Sequence, residues 1–525
     1  MMKKVIKTLL AALLAVAMVC AMAIPAFAYN TEEDLNAIHG YSAFQIFTGD
    51  VSDDNTISNV QWGSNITDSD EFLAQLMADP TIGGNFKTNF TAQDVLAVIS
   101  KWSNSDDNSI AFARVVCHYL YPDANANPEP VATGHTGGFE VPKPGYYLIV
   151  DTTYFNLSDF YHAYNSFLLK VTKAHYGFTI NHKVVKPYVE KEVYDNQDGT
   201  NEAGFGSSAD HAINEEFQFK LTATLPASPD RAYDYYKEYA VLFNDTLSNG
   251  ITYDRLDSVV IKSNGIPYDI TNDSSMYEVD DSRLESDHYF VVGIPDVKAC
   301  GAGLNLNAGA TITVTYTAHL NENAAVNGST DNKNKVQLQY SNNPRNSAYW
   351  GFTPESAVCV YTYQLNNTKY HDEANSGNEL EGAGFSLYSD EACTQEVKLY
   401  KEGAFYYPIK NATGKTAVEM KSAADGTFNV KGLDAGTYYL KETTPPAGYS
   451  ACDKTRIVIS ATHDEHNVNL SGESNLNNKI INIKAGGITL PSTGGIGTTL
   501  FYVVGGGLMV AAIVLLVTKK RMENK

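Results

Sequence analysis

A mainly β fold is predicted for this chain of 525 residues: tandem immunoglobulin-like sandwiches in an elongated rod, led by an N-terminal β-rich domain with a helical insertion. Three observations predict it. From Pro187 onward apolar and polar residues alternate with period two, and turn residues recur at short intervals, as in half-buried strands. The composition is rich in Tyr, Thr, Val and Gly, as in β-rich exported chains. The stretch before Pro187 mixes strand-like runs with helix signals, which sets it apart as a domain of its own.

In chain order, residues 1–28 read as a signal peptide. Lys3, Lys4 and Lys7 precede an apolar core from Leu9 to Ala23, and Ala26-Phe27-Ala28 has the small-x-small form of a cleavage site. The mature chain, from Tyr29 onward, is expected to be exported. Residues 29–182 form the first domain. Tyr41 to Phe47 reads as a strand, and Thr91-x-x-Asp94 followed by Val95, Leu96, Ile99 and Trp102 has the start and spacing of a capped helix. A second helix is predicted near Ile110 to Tyr119, then strands at Gly145 to Asp151 and Ser166 to Val171. This pattern fits an α+β domain or a β-sandwich with a helical insertion. Residues 183–356 and 357–486 are each the size of an immunoglobulin-like sandwich. Residues 487–525 open with Leu490-Pro491-Ser492-Thr493-Gly494. A Gly-rich apolar run from Ile496 to Val517 comes next, then Lys519-Lys520-Arg521. At about 1.5 Å per residue that run matches a bilayer core, and the basic cluster would stay cytoplasmic.

Several function classes lose support. The net charge of −22 argues against nucleic acid or an anionic membrane as partner, since both need positive charge. Cys20 leaves with the signal peptide, so Cys117, Cys300, Cys359, Cys393 and Cys452 remain, an odd number in an oxidising location. Cys393 and Cys452 lie in the last domain and are the candidate disulfide; the other three read as buried thiols. There is no CxxC and no His pair at zinc-ligand spacing, so neither a metal nor a cofactor is expected. His463-Asp464-Glu465-His466 lacks the spacing of a zinc-protease helix and reads as a polar loop. No nucleophile elbow or paired-acid motif suggests an enzyme with turnover.

The order of pentapeptide, apolar span and basic stop resembles the sortase cell-wall sorting signal of Gram-positive surface proteins. The resemblance implies that a sortase cysteine attacks between Thr493 and Gly494 and passes the Thr carboxyl to an amine. It extends along the chain. His39-x-Tyr41-x-x-Phe44-Gln45-Ile46-Phe47-x-Gly49 with Trp62-Gly63 is similar to the N-terminal domain of major pilins, and Asn334-Lys335-Val336-x-Leu338-x-Tyr340-Ser341-Asn342-Asn343-Pro344 to the end of their middle domain. Leu380-x-Gly382-Ala383-x-Phe385-x-Leu387-Tyr388 resembles the start of collagen-adhesin B-type (Cna-B) domains. Tyr438 to Tyr449, with Glu442 inside it, resembles the pilin E-box. The family resembled is that of LPXTG-anchored major, or backbone, pilins.

In that family a Lys side chain and an Asn side chain form an internal amide with help from an Asp or Glu. Alternation tests the candidates independently. Lys191 shares a strand face with Val189 and Val193, while Glu190 and Glu192 face away. Asn334 shares a face with Val336, Leu338 and Tyr340, and Asp245 with Val241 and Phe243. Three polar side chains on apolar faces of one domain are costly unless they satisfy one another. In the last domain Glu442 falls on the face of Tyr438 and Leu440, Lys369 stands at even spacing after Tyr363 and Leu365, and Asn482 shares a face with Ile480. Asn477 and Asn478 crowd the same stretch. The resemblance implies cross-links Lys191 to Asn334, assisted by Asp245, and Lys369 to Asn482, assisted by Glu442.

Polymerisation needs an exposed amine instead. Lys183 alternates with Thr179 and Asn181, away from Phe178 and Ile180, and stands just before the middle domain, as the pilin-motif lysine does. The fuller form of that motif is absent, and Lys186 is the second choice. The partners implied are a pilus-specific and a housekeeping sortase, identical subunits, peptidoglycan, accessory pilins and a host surface ligand. A monomeric wall-anchored adhesin or an accessory pilin is the competing expectation.

Overall fold

The structure is a computed structural model and describes residues 40–51, 57–103, 107–123, 125–135, 138–152, 166–171, 177–178, 186–196, 203–228, 231–328, 331–345, 350–485 and 508–520. The expected signal peptide, the Leu490 to Gly494 pentapeptide and Lys183 lie outside the described residues.

In the first domain the strand Gly40–Val51 pairs antiparallel with Ile57–Trp62, Ala132–His135 and Gly145–Asp151, and the last of these with Ser166–Val171. Helices Ser69–Ala78, Ala92–Ile99 and Asp107–Leu120 cover one face of this sheet, which makes the domain α+β. The expected cap at Thr91 is present: its hydroxyl accepts from the Asp94 N–H while the Asp94 carboxylate accepts from the Thr91 N–H. Period two puts Phe44 and Ile46 on the helix side and Tyr41 and Ala43 in a second apolar cluster on the other side. A register shift between Gln45 and Phe47 then returns Phe47 to the helix side, stacked on Trp62 and Phe112.

The middle domain packs two sheets face to face. One contains Ser356–Tyr361, Lys333–Ser341, Val241–Leu247 and Tyr289–Ile294 in that order; the other contains Ile251–Ser263, Ala310–Leu320, Glu216–Leu225 and Tyr188–Asp195. Their inward residues form one continuous apolar core. In the last domain, Tyr363–His371 lies between Asn429–Leu433 and Asn477–Asn482 in one sheet. Gly384–Tyr388, Gly436–Thr444 and Thr455–Ile459 adjoin in the other.

The domains are joined by side chains as well as by the chain. Ser356–Tyr361 begins at the expected boundary yet pairs inside the middle-domain sheet, with Lys333–Ser341 and with Ser208–Asp210. Its alternation serves two cores: Val358 and Val360 face the middle one, Cys359 and Tyr361 the last one. Nearby, the Ile213 N–H donates to the Gly432 carbonyl, and Tyr400 and Tyr407 of the last domain pack into the middle core. The first domain meets the middle one where Tyr235 enters its core and the Tyr235 carbonyl meets His118 Nε2 at 3.0 Å. Among the described residues no helix is long and apolar enough to cross a membrane; the helix at residues 508–520 covers only the end of the expected span.

Two buried lysine, asparagine and acid clusters

In the middle domain the three expected residues meet. Tyr188–Asp195 alternates as expected, so Lys191 is 4% exposed while Glu190 faces solvent. Asp245 stands opposite Val336 in the antiparallel ladder, and Asn334, opposite Leu247, is the neighbouring inward position on that strand. Lys191 comes from the facing sheet, where it pairs with Leu221, so the cluster bridges the two layers of the sandwich. The Lys191 ammonium donates to Asp245 Oδ2 and, at 3.0 Å, to the Tyr316 hydroxyl. That hydroxyl donates to Asp245 Oδ1 at 3.2 Å and accepts from Asn334 Nδ2 at 2.6 Å. Phe219 and Tyr316 wall the amine with their rings. In the sequence Tyr316 reads as core, an aromatic residue on an apolar strand face.

Burial decides the protonation chemistry. Desolvation pulls the Lys191 amine down from 10.5 to about 8, against the opposing pull of Asp245. Desolvation likewise raises the Asp245 carboxyl, opposed by Lys191, and keeps the Tyr316 phenol well above its ordinary range. Burial thus moves both groups toward their neutral forms, a free amine and a protonated acid. The carbonyl oxygen of Asn334 is buried with no hydrogen-bond partner among the described residues, an exception of the kind that marks reactive sites.

The last domain repeats the set on a different frame. Tyr363–His371 and Asn477–Asn482 run parallel and adjacent, with His371 opposite Asn482 and Lys369 opposite Ile480. Glu442 reaches in from the facing sheet. Lys369 Nζ donates to Asn482 Oδ1 at 2.5 Å, Asn482 Nδ2 donates to Glu442 Oε1 at 2.8 Å, and Nζ lies 3.8 Å from that same oxygen. The side chains of Lys369 and Glu442 are fully buried. Desolvation lowers the Lys369 amine, with Cys452 and Glu442 opposing. Of the crowded asparagines, Asn477 is exposed and Asn478 donates to Asn367, which leaves Asn482 as the one that meets the lysine.

Cys452 also belongs to this cluster, and the reading of it as half of a disulfide is corrected. Its N–H donates to Glu442 Oε2 at 2.8 Å, and its thiol interacts with Lys369 and Glu442. Cys393 sits in a surface turn at φ +54° with its sulfur toward the Glu391 carbonyl, so the two thiols point to different neighbours and both are free. Burial pushes the Cys452 thiol up to about 11, which keeps it protonated beside the amine. Cys117, Cys300 and Cys359 are buried and outside any disulfide. Lys186 is half-buried at the entry to the middle domain.

Comparison with known proteins agrees with this architecture. Residues 366–475 match a family model described as a SpaA prealbumin-like fold domain, and residues 482–524 match the LPXTG cell wall anchor motif. The chain is 25% identical over 406 residues to the trypsin-resistant surface T6 protein of Streptococcus pyogenes serotype M6, spanning 66% of this chain and 71% of the relative. The solved T6 backbone pilin of that serotype superposes with a TM-score of 0.50 at 15% identity, over 85% of this chain and 96% of that one. The full-length major pilin SpaD of Corynebacterium diphtheriae gives 0.42 at 22% identity, over 70% and 88%. The expectation of an exported, LPXTG-anchored cell-surface protein, mainly β and multidomain, is borne out, and the chain is similar in fold to a backbone pilin.

Proposed function

We propose that this LPXTG-anchored chain is the repeating subunit of a sortase-assembled pilus, and that each of its last two domains is locked by a self-formed Lys–Asn amide. The observation that carries the reading is the pair of buried clusters: each brings a lysine from an early strand of its domain together with an asparagine from a late one and an acid, through Tyr316 in the middle domain.

The chemistry needs no cofactor. A neutral Lys amine adds to the Asn side-chain carbonyl carbon, forming a C–N bond, while the protonated acid gives its proton to the carbonyl oxygen and, now a carboxylate, takes one from the attacking nitrogen. The same acid then passes that proton to the Asn nitrogen, its C–N bond breaks, ammonia leaves, and the acid recovers its first proton as the carbonyl re-forms. Amine and carboxamide become amide and ammonia, and the acid is regenerated. In the middle domain, turning the Asn334 amide over places its oxygen at the Tyr316 hydroxyl. A protonated Asp245 then donates to Tyr316, and Tyr316 polarises the carbonyl. In the last domain Glu442 Oε1 already holds the departing Nδ2, and the Lys369 amine lies beside the carbonyl oxygen. Each bond forms once per molecule.

The cross-links suit the load. A pilus-specific sortase joining Thr493 of one subunit to Lys183 of the next sends tension through the middle and last domains, leaving the first domain outside the path. A covalent clamp then resists what hydrogen bonds of about 1 kcal/mol net each would yield to. A housekeeping sortase transfers the finished polymer to peptidoglycan. Accessory pilins and a host surface ligand complete the partners proposed for the assembled fibre. Intact-mass measurement of the wild-type chain tests the clamps: two ammonia masses should be missing, in peptides joining Lys191 to Asn334 and Lys369 to Asn482. An unshifted mass would overturn them.

A further inference from the structure

We propose that Asp195, Asp210 and His463 form a binding site for one divalent cation of the zinc class at the junction of the middle and last domains. Asp195 ends the first strand of the middle domain, Asp210 ends Ser208–Asp210, and His463 ends the strand Ala461–His463 of the last domain. One ligand atom from each lies within 4.8 Å of the others. His463 Nε2 is 3.5 Å from Asp195 Oδ2 and 3.8 Å from Asp210 Oδ2, and the side chains of His463, Asp195 and Asp210 are 5%, 9% and 0% exposed.

The separations fit a shared ion. At 3.5 and 3.8 Å the imidazole stands at ion-pair distance from both carboxylates, longer than good hydrogen bonds of about 2.7–3.2 Å. Ligands about 2.0–2.2 Å from a tetrahedral zinc ion stand about 3.4 Å apart, close to the spacing found. Charge agrees. Two carboxylates carry two negative charges into a buried junction; a divalent ion neutralises both, whereas an imidazolium neutralises one. The surroundings orient the set as outer partners of a metal site do. His463 Nδ1 and Ser208 Oγ are 2.8 Å apart, so Nδ1–H donating to the hydroxyl leaves the Nε2 lone pair aimed at the carboxylates. The Tyr363 hydroxyl donates to Asp210 Oδ2 at 2.6 Å, and the Asp210 N–H donates to Asp195 Oδ1 at 3.2 Å. Water would fill the fourth position. With one imidazole nitrogen and only two carboxylates, the set suits zinc better than calcium, which takes six to eight oxygens.

A neighbouring group, His211 with Glu215 and Asp434, is already engaged. His211 Nε2 donates to the Tyr194 carbonyl at 2.7 Å, and Glu215 pairs with Lys410 at 3.3 Å. It serves as the control. The full-length chain in detergent, stripped with chelator, is equilibrated with zinc chloride and its retained metal measured. One zinc per chain is expected. Affinity should fall at least tenfold in His463→Ala and Asp210→Asn, fall about 10- to 100-fold in Ser208→Ala, and stay unchanged in His211→Ala. Crystals of the wild type soaked in zinc, with anomalous scattering at the zinc edge, locate the ion without any variant. No zinc retained by the wild type, equal retention by His463→Ala, retention of calcium but not zinc, or an anomalous peak away from these side chains would each overturn the proposal.

Discussion

Replacing Glu442 by Gln isolates the proton chemistry of the last domain. Gln fills the same volume and still accepts from the Cys452 N–H, but it cannot take up and return a proton. The Lys369–Asn482 amide should then fail to form while the Lys191–Asn334 amide still does. The lost bond closes a loop of 113 residues. Treated as a covalent constraint on the unfolded chain, a loop of that length contributes about 5 kcal/mol at 25 °C. For a domain of this size each kcal/mol moves the melting temperature by about 3–5 °C, so the last domain should melt about 15–25 °C lower. Intact mass and calorimetry on one preparation provide the assay. After allowance for the substitution, the variant should be one ammonia heavier than the wild type, and only one thermal transition should fall. A variant that still loses both ammonias, or melts within a few degrees of the wild type, would refute the role given to Glu442.

Three further outcomes are expected. Asn334→Ala leaves Lys191 as a buried free amine whose pKa is lowered by folding from 10.5 to about 8. A lowered base costs stability fully below the folded value and nothing above the unfolded one, so the variant's deficit against the cross-linked wild type should shrink as pH rises from about 8 toward 10; a deficit that grows over that window contradicts the burial argument. Gly432 stands at φ +88°, where an added Cβ would run into the Ile213 side chain, so Gly432→Ala should destabilise the domain junction by about 1–3 kcal/mol in a melting curve, with both ammonia losses intact. Alkylation of the unreduced, denatured mature chain should label all five cysteines, Cys393 and Cys452 included; protection of those two would restore the disulfide.

Period two made much of the site legible. A strand shows only two faces, so a lysine among Val189 and Val193, or an acid among Tyr438 and Leu440, declares itself inward before any partner is known. What a strand faces is decided by sheet order and register, which alternation does not encode. Tyr316 therefore read as core, although its hydroxyl touches all three members of the middle cluster. Cys452 lies outside any strand, so only shared domain membership spoke for pairing it with Cys393. Val358 to Tyr361 is apolar on both faces, and that continuous run concealed a strand that serves two cores. His463 read as a loop residue because its neighbours in space, Asp195 and Asp210, come from a different domain. Of the first domain, the Thr91 helix is legible from its cap and spacing and the strands at Gly145 and Ser166 from short apolar runs, whereas Ser69–Ala78, capped by Asp68, is not among the elements read from the sequence.

Polymerisation through Lys183 and Thr493 is the central claim, and denaturing gels of cell-wall extracts from wild-type and Lys183→Ala strains test it most directly. The wild type should give a ladder of high-mass species that withstands boiling in detergent, and Lys183→Ala a single wall-linked species, still attached through Thr493. A single band from the wild type would favour a monomeric wall-anchored adhesin. A ladder that persists in Lys183→Ala, with Lys186 unused, would contradict the donor assignment and the load path built on it.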